Sequence, residues 1–176
     1  MRFARRLSAA VLLAAALPVA AQVINPPVDY TDAWWAGASE SGWGLNIIQH
    51  AGTATSAARL VVAWFTFDPR FPDPNTADTT DFQPLWILGV CQFTSNTSCT
   101  GDLQVDMGTP FSQPWLQPSH VTRKIGTASL TWTDANNATF TYNVNPAAIP
   151  PPLPNPDPGA GLPAFSGSKS ITRIGF

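Results

Sequence analysis

The residues best suited to chemistry gather around one short segment in the first third of the chain. Glu40 is the only glutamate, and residues 41–44 that follow it read Ser-Gly-Trp-Gly. Trp34 and Trp35 lie just upstream. Tryptophan faces stack on sugar rings or other flat apolar surfaces, and a carboxylate fixes hydroxyl groups or a cation. These residues, with Trp43, therefore form a candidate ligand site.

An architectural role explains the same segment equally simply. In that interpretation Trp43 fills the interior of the fold, while Gly42 and Gly44 allow a neighbouring backbone or ring to approach. Glu40 would then cap backbone amides or pair with an arginine. Arg173 is the candidate partner, because the last strand of a closed sheet often lies beside the first. The sequence leaves both interpretations open.

Two further tryptophans, Trp64 and Trp86, lie within apolar runs that read as strands. Aromatic residues in such runs usually belong to the core. In a barrel with an open mouth, however, some of them line a pocket. Trp64 and Trp86 therefore join the candidate ligand-binding residues.

Residues for catalysis are not assembled in any known pattern. His50 and His120 are isolated, and Ser41 does not lie in the G-x-S-x-G turn of hydrolases. A working pair of carboxylates would join Glu40 to an aspartate such as Asp68, but Asp68 ends a strand-like run and is expected to form a turn. The sequence shows no phosphate-binding glycine loop and no zinc spacing. We therefore expect no enzyme activity, cofactor or metal.

The two cysteines, Cys91 and Cys99, lie eight positions apart. An exported chain meets an oxidising compartment, where a disulfide is the default expectation. A metal site would need further ligands, and both histidines are distant in sequence. The pattern predicts a Cys91–Cys99 disulfide.

Residues 1–21 have the organisation of a secretory signal peptide. Three arginines come first, an apolar stretch follows, and small residues precede Gln22. The stretch is about half the ~20 residues that a membrane-spanning helix needs. Removing the three arginines leaves six basic residues against eleven acidic ones, a net charge of about −5. That charge disfavours a nucleic-acid partner, and we expect no transmembrane helix in the mature chain and a periplasmic or secreted location.

The rest of the sequence predicts an all-β fold. Short runs rich in β-branched and aromatic residues alternate with turn formers. The runs are residues 42–50, 59–68, 85–93, 102–107, 122–133, 138–144 and 169–176. They favour an antiparallel meander of seven to eight strands, closed as a small barrel or folded as a sandwich. The runs 59–68 and 85–93 are apolar on both faces, which predicts central, well-covered strands.

The predicted organisation is a signal peptide at 1–21, a flexible lead-in at 22–32 and a single β-domain at 33–176. Two connections are long. Residues 69–84 hold three aspartates whose spacing is not that of a calcium-binding EF-hand loop. Residues 146–163 contain eight prolines, which predicts an extended surface loop without ladder hydrogen bonds.

Several of these motifs resemble an exported β-domain of proteobacteria whose members carry ESGWG and WFTYD-type segments. The matching segments are residues 40–46 (ESGWGLN), 63–68 (AWFTFD), 84–86 (PLW), 126–132 (GTASLTW), 137–142 (NATFTY) and 171–176 (ITRIGF). The resemblance covers nearly all of residues 33–176. It departs at the long 69–84 and 146–163 connections, where the family has tight turns. It implies no catalytic activity and, by analogy with appended domains of exported hydrolases, an accessory or binding role.

The sequence as a whole predicts an exported, non-catalytic β-domain that serves as a binding or accessory module. A glycan or another envelope component is the candidate partner. One alternative is a purely structural envelope protein whose aromatic residues are all core. A second alternative is a small outer-membrane β-barrel, which the C-terminal Phe176 would suit.

Overall fold

Eight antiparallel strands, each paired with the next along the chain, form a closed barrel because the last strand also pairs with the first. The computed structural model describes residues 23–70, 82–147 and 157–175. The strands are β1 (Asp32–Trp35), β2 (Gly44–His50), β3 (Arg59–Phe67), β4 (Pro84–Ser95), β5 (Ser98–Met107), β6 (Val121–Trp132), β7 (Asn137–Val144) and β8 (Phe165–Arg173). The predicted all-β meander is confirmed, and the barrel, not the sandwich, is its closure.

Most strands coincide with the predicted apolar runs, and the differences lie at their ends. β5 begins at Ser98 and β8 at Phe165, each four residues before the corresponding run. Both extensions are rich in small polar residues, so they carry little hydrophobic alternation. β1 is short and begins at Asp32, which the sequence placed in the lead-in. Met107 shares the alternation phase of the buried Leu103 and Val105, but it is 38% exposed because it ends β5 at the rim.

The interior is built by the two-residue alternation of the strands, which sends every second side chain inward. β4 shows the alternation most clearly, with five buried positions between exposed ones. The largest fully buried side chains come from all eight strands; they are Trp34, Leu45, Ile47, Leu60, Ile87, Cys99, Leu103, Ile125, Leu130, Phe140, Val144 and Ile171. These layers leave the barrel filled through its middle.

One end of the barrel is closed by aromatic rings. Tyr30 is 2% exposed and stacks on Trp132, with the ring centroids 4.1 Å apart. Trp34 packs edge-on against Trp132 and donates its Nε1–H to the Tyr30 carbonyl. Phe93 completes the cluster. The lead-in is therefore packed against the barrel at Tyr30. Full burial of such a ring stabilises the fold by about 1.5–3 kcal/mol.

The outward faces of β3 and β4 correct one expectation. The prediction that these strands are covered on both faces is wrong, because Trp86 is 65% exposed, Val90 49% and Phe65 38%. A barrel wall is a single layer, so an outward side chain meets solvent unless another element lies over it. No described element covers this part of the wall.

The predicted disulfide is confirmed. Cys91 on β4 and Cys99 on β5 are bonded across the hairpin, with their Cα atoms 5.6 Å apart. Both are buried in the barrel interior. Among the described residues no helix is long and apolar enough to cross a membrane. The signal peptide at 1–21, residues 148–156 of the proline-rich 146–163 loop and the aspartates of the 69–84 loop lie outside the described residues.

Candidate functional site

The end of the barrel opposite the aromatic cluster holds an open cavity of about 610 Å³. We call it the mouth cavity. Its wall comes from the β1–β2 connection and from strands β3, β7 and β8. The lining residues are Glu40, Ser41, Trp43, Trp64, Thr66, Phe67, Pro69, Tyr142, Phe165 and Lys169. Three of the candidate residues from the sequence, Glu40, Trp43 and Trp64, therefore meet here.

Glu40 is held at the rim by a short 3-10 turn, Ala38–Glu40, in the β1–β2 connection. Gly37 and Gly42 bracket the turn with φ of +91° and +111°, values that favour glycine. Gly42 also lies against the ring of Phe67, where an added Cβ would be 3.0 Å from the nearest ring carbon. The tight turn reverses the chain direction between β1 and β2 and places the Glu40 side chain in the lining of the cavity.

The Glu40 carboxylate forms an ion pair with Lys169 of β8, with Nζ 2.8 Å from Oε2. Trp43 Nε1 donates a hydrogen bond of 3.3 Å to the same oxygen. The hydrogen bond from Lys169 lowers the pKa of Glu40, and the carboxylate in turn raises the pKa of the Lys169 ammonium. Both groups are therefore charged at neutral pH.

Arg173, the partner expected from the sequence, does not contact Glu40. The last strand does lie beside the first, but Arg173 is paired with Trp34 across β1 and β8. Its guanidinium lies 5.2 Å from the Trp34 ring centroid, and its Nε is 3.6 Å from Asp32. Lys169 is four residues earlier on the same inward face of β8. At about 3.3 Å per residue, that spacing carries it roughly 13 Å nearer the mouth.

The floor and side of the mouth cavity are aromatic. Trp64 packs against Phe140, Tyr142 and Phe165, with ring centroids 5.1, 4.9 and 6.2 Å away. Trp64 is 5% exposed, and its Nε1 is buried without a hydrogen-bond partner in the described part of the chain. An unmet buried donor costs about 1–3 kcal/mol. The Trp64 Nε1–H is closed off from solvent, so it belongs to the packed part of the wall and not to its open surface.

The width of the cavity depends on a close contact between Tyr142 and Gly167. A Cβ at Gly167 would lie 2.6 Å from the Tyr142 hydroxyl oxygen. The missing side chain lets the tyrosine ring lie against β8. Glycine at this inward position therefore keeps Tyr142 at the wall.

The other candidate tryptophans lie elsewhere. Trp34 is 1% exposed and belongs to the aromatic cluster at the closed end. Trp35 is half-buried on the opposite face of β1, beside Thr172. Trp86 projects from the outer wall, where its ring meets Phe65 edge-on at 5.5 Å. None of these three tryptophans lines the mouth cavity.

Arg70 joins the β3–β4 and β7–β8 connections beside the mouth, and we call its contacts with Asp68 and with the second connection the Asp68–Arg70 clasp. The guanidinium forms an ion pair of 2.5 Å with Asp68, whose side chain is 7% exposed. It also donates to the carbonyls of Pro158 and Ala160 in the β7–β8 connection. Burial raises the pKa of Asp68, but the hydrogen bonds from Arg70 outweigh it and leave the pKa below its usual value. Asp68 thus ends β3 as a turn residue and anchors the rim.

The groups considered for catalysis are not brought together. The Glu40 and Asp68 carboxylates each bind a different cation, Lys169 and Arg70. His50 is exposed at the end of β2, and His120 lies 3.9 Å from Asp106. Neither histidine lines the mouth cavity. Within residues 23–70, 82–147 and 157–175 no group of three or more potential metal ligands occurs.

Sequence reasoning missed Lys169, Phe165 and Thr66 as site residues. Lys169 carried the one usable signal, because it shares its alternation phase with the inward Ile171. A charged residue that points into a barrel is expected to lie at the mouth of the barrel or to form a buried ion pair. Phe165 and Thr66 carried no such signal.

Comparison of the chain with protein families, with curated proteins and with solved structures finds no match.

Proposed function

We propose that this protein is an exported, non-catalytic binding module that holds a small ligand in the mouth cavity. One observation carries the proposal: an open cavity of about 610 Å³ combines an aromatic wall with the Glu40–Lys169 ion pair. Ligand pockets typically measure about 300–1,000 Å³ and combine apolar walls with a few polar groups. Barrels of eight strands are wide enough to hold one small ligand.

The arrangement of the two barrel ends supports this proposal. The closed end packs Tyr30, Trp34, Phe93 and Trp132 into a tight cluster. The mouth end has rings of similar size around open space. A barrel that needed its aromatic residues only for packing would be expected to fill both ends.

Export is part of the proposal. The Cys91–Cys99 disulfide suits an oxidising compartment, and the pattern of residues 1–21 suits a cleaved signal. Mass spectrometry of the protein recovered from its producing cells tests this part. A mature chain that begins at Gln22 is expected, and retention of residues 1–21 would contradict it.

The alternative of an outer-membrane barrel fits the outer wall less well. Such barrels present an apolar band to lipid on every strand. Here the outward residues of β7 and β8 are all polar; they are Asn137, Thr139, Thr141, Asn143, Ser166, Ser168, Ser170 and Thr172. These residues favour the binding module over the membrane barrel.

The proposal is tested with 1-N-phenylnaphthylamine, an uncharged apolar fluorophore that brightens when it leaves water. The protein is expected to bind it, and Thr66→Phe is expected to abolish binding because the new ring occupies the cavity. Thr100→Phe, the same change on the outer face of β5, is the matched control and should bind as the unaltered protein does. Equal binding by all three proteins would place the probe elsewhere.

The alternative of a purely structural protein predicts a different result. Such a protein would not raise the fluorescence of this probe. It would also show no response to envelope polysaccharide fragments, peptides or phospholipid vesicles. Such a result would leave the mouth cavity without a role and would favour the structural alternative.

A further inference from the structure

We infer that the occupant of the mouth cavity is an uncharged, hydroxyl-rich ring, that is, a neutral saccharide unit. The inference rests on the proposed function and specifies its ligand class. Three features of the cavity lead to it: charge, unused hydrogen-bonding groups and the aromatic wall.

The charge of the described cavity lining is balanced. Among those residues Glu40 is the acidic one and Lys169 the basic one, and they bind each other at 2.8 Å. An anionic ligand would compete with Glu40 for Lys169 and would be repelled by the carboxylate. A cationic ligand would meet the reverse conflict at the ammonium. An uncharged ligand leaves the pair intact and binds to its outer edge.

The ion pair keeps hydrogen-bonding capacity on both sides. The described contacts of the Glu40 carboxylate, from Lys169 and Trp43, both go to Oε2, which leaves Oε1 as an acceptor. The Lys169 ammonium has three N–H groups and directs one to Glu40. A sugar hydroxyl donates and accepts at once, so neighbouring hydroxyls match a carboxylate beside an ammonium.

The aromatic wall supplies the second half of a saccharide site. Trp43 is partly buried at the rim, and Tyr142 and Phe165 also line the cavity. Flat rings accept the apolar C–H face of a sugar while its hydroxyls stay at the edge. A fully apolar ligand can occupy the cavity, but it covers the ion pair without replacing its water, so it binds more weakly than a ligand with hydroxyls at that edge.

The experiment measures displacement of 1-N-phenylnaphthylamine and the tryptophan emission of the protein. The probes are the neutral trisaccharides cellotriose, maltotriose and tri-N-acetylchitotriose, the anionic trigalacturonic acid and the cationic chitosan trimer. At least one neutral trisaccharide is expected to bind more tightly than both charged ones. Its affinity should change less than about twofold between about 50 and about 500 mM sodium chloride, because no net charge is neutralised.

Variants locate the bound sugar. Trp43→Ala is expected to weaken the neutral trisaccharide about tenfold or more, the loss typical of a stacking aromatic anchor. Trp86→Ala is the matched control on the outer wall and should change the affinity less than about twofold. Trp43→Phe keeps a flat ring but loses the hydrogen bond to Glu40, so it should bind the trisaccharide with intermediate affinity. This variant tests the same contact if Trp43→Ala fails to fold.

The outcomes separate this inference from the proposed function. If the fluorophore binds in a manner sensitive to Thr66→Phe but no neutral trisaccharide displaces it, the saccharide assignment is overturned and the binding module stands. A charged trisaccharide that binds more tightly, with an affinity that falls as salt rises, also overturns the assignment. If neither the fluorophore nor any trisaccharide binds, both fail together.

Discussion

The Asp68–Arg70 clasp gives the most specific prediction for stability. Asp68→Asn removes the charge of a carboxylate that is 7% exposed and leaves the Arg70 guanidinium, 30% exposed, without its counter-ion. Hydrogen bonds to charged groups contribute about 1.5–3 kcal/mol. Partial hydration of Arg70 reduces this, so we expect a loss of about 1–2 kcal/mol in the free energy of unfolding. For a chain of this length the melting temperature should fall by about 3–6 °C.

A matched control isolates the effect of burial. Asp102 and Lys124 form an ion pair of 2.7 Å, close to the length of the clasp, but both side chains are more than half exposed. Asp102→Asn is therefore expected to cost less than about 0.5 kcal/mol. The measurement is thermal unfolding by circular dichroism, with urea unfolding to supply the free energies.

The pH dependence of the same variant has a defined sign. Because the folded pKa of Asp68 lies below its unfolded value, its contribution is complete above the unfolded pKa, near 3.8. The contribution is lost as pH falls through the folded pKa. The difference between the unaltered protein and Asp68→Asn should therefore be largest at neutral pH and shrink in acid. Equal losses for the Asp68 and Asp102 variants, or a gap that persists in acid, would refute the reasoning.

Other predictions address the disulfide, a strand contact and the outer wall. Reducing Cys91–Cys99 should lower the free energy of unfolding by about 2.5 kcal/mol, because the unfolded chain regains loop freedom; urea unfolding with and without a reductant measures it. Gly126→Ala would place a Cβ 2.0 Å from the Asn143 carbonyl oxygen of the paired strand, so a loss of about 2 kcal/mol or more is expected in thermal unfolding. Near-unaltered stability would contradict that contact. Trp86→Phe should reduce acrylamide quenching of the tryptophan emission, because Trp86 is 65% exposed; unchanged quenching would mean that the ring is covered.

The fold was largely predictable because its signals are local. The inward faces of β6 and β7 follow from side-chain alternation within the predicted runs 122–133 and 138–144, where Leu130, Trp132, Phe140 and Val144 are buried. The predicted coverage of β3 and β4 failed for a non-local reason. An apolar outer face such as that of Trp86 is compatible with a covering layer, and only the arrangement of the other elements decides whether such a layer exists.

The candidate site was predictable in part. Glu40, Trp43 and Trp64 meet at the mouth cavity, whereas Trp34 lies in the closed end of the barrel. Trp34 and Trp43 looked alike in the sequence because each is a tryptophan within a few residues of Glu40 at the start of the domain. Their surroundings differ because Trp34 points inward from β1 and packs on Trp132, whereas Trp43 precedes β2 at the rim beside Glu40. Residue type does not encode that difference.

The sequence by itself determined the strand pattern, the single disulfide and the absence of a recognisable catalytic motif. These depend on side-chain alternation, on two cysteines with no competitor and on residue identity. Only the tertiary structure decided that Glu40 pairs with Lys169 and not with Arg173, and that aromatic rings surround open space at one end and pack together at the other. Barrel closure sets the stagger between the first and last strands, and that stagger places residues far apart in sequence at the same height.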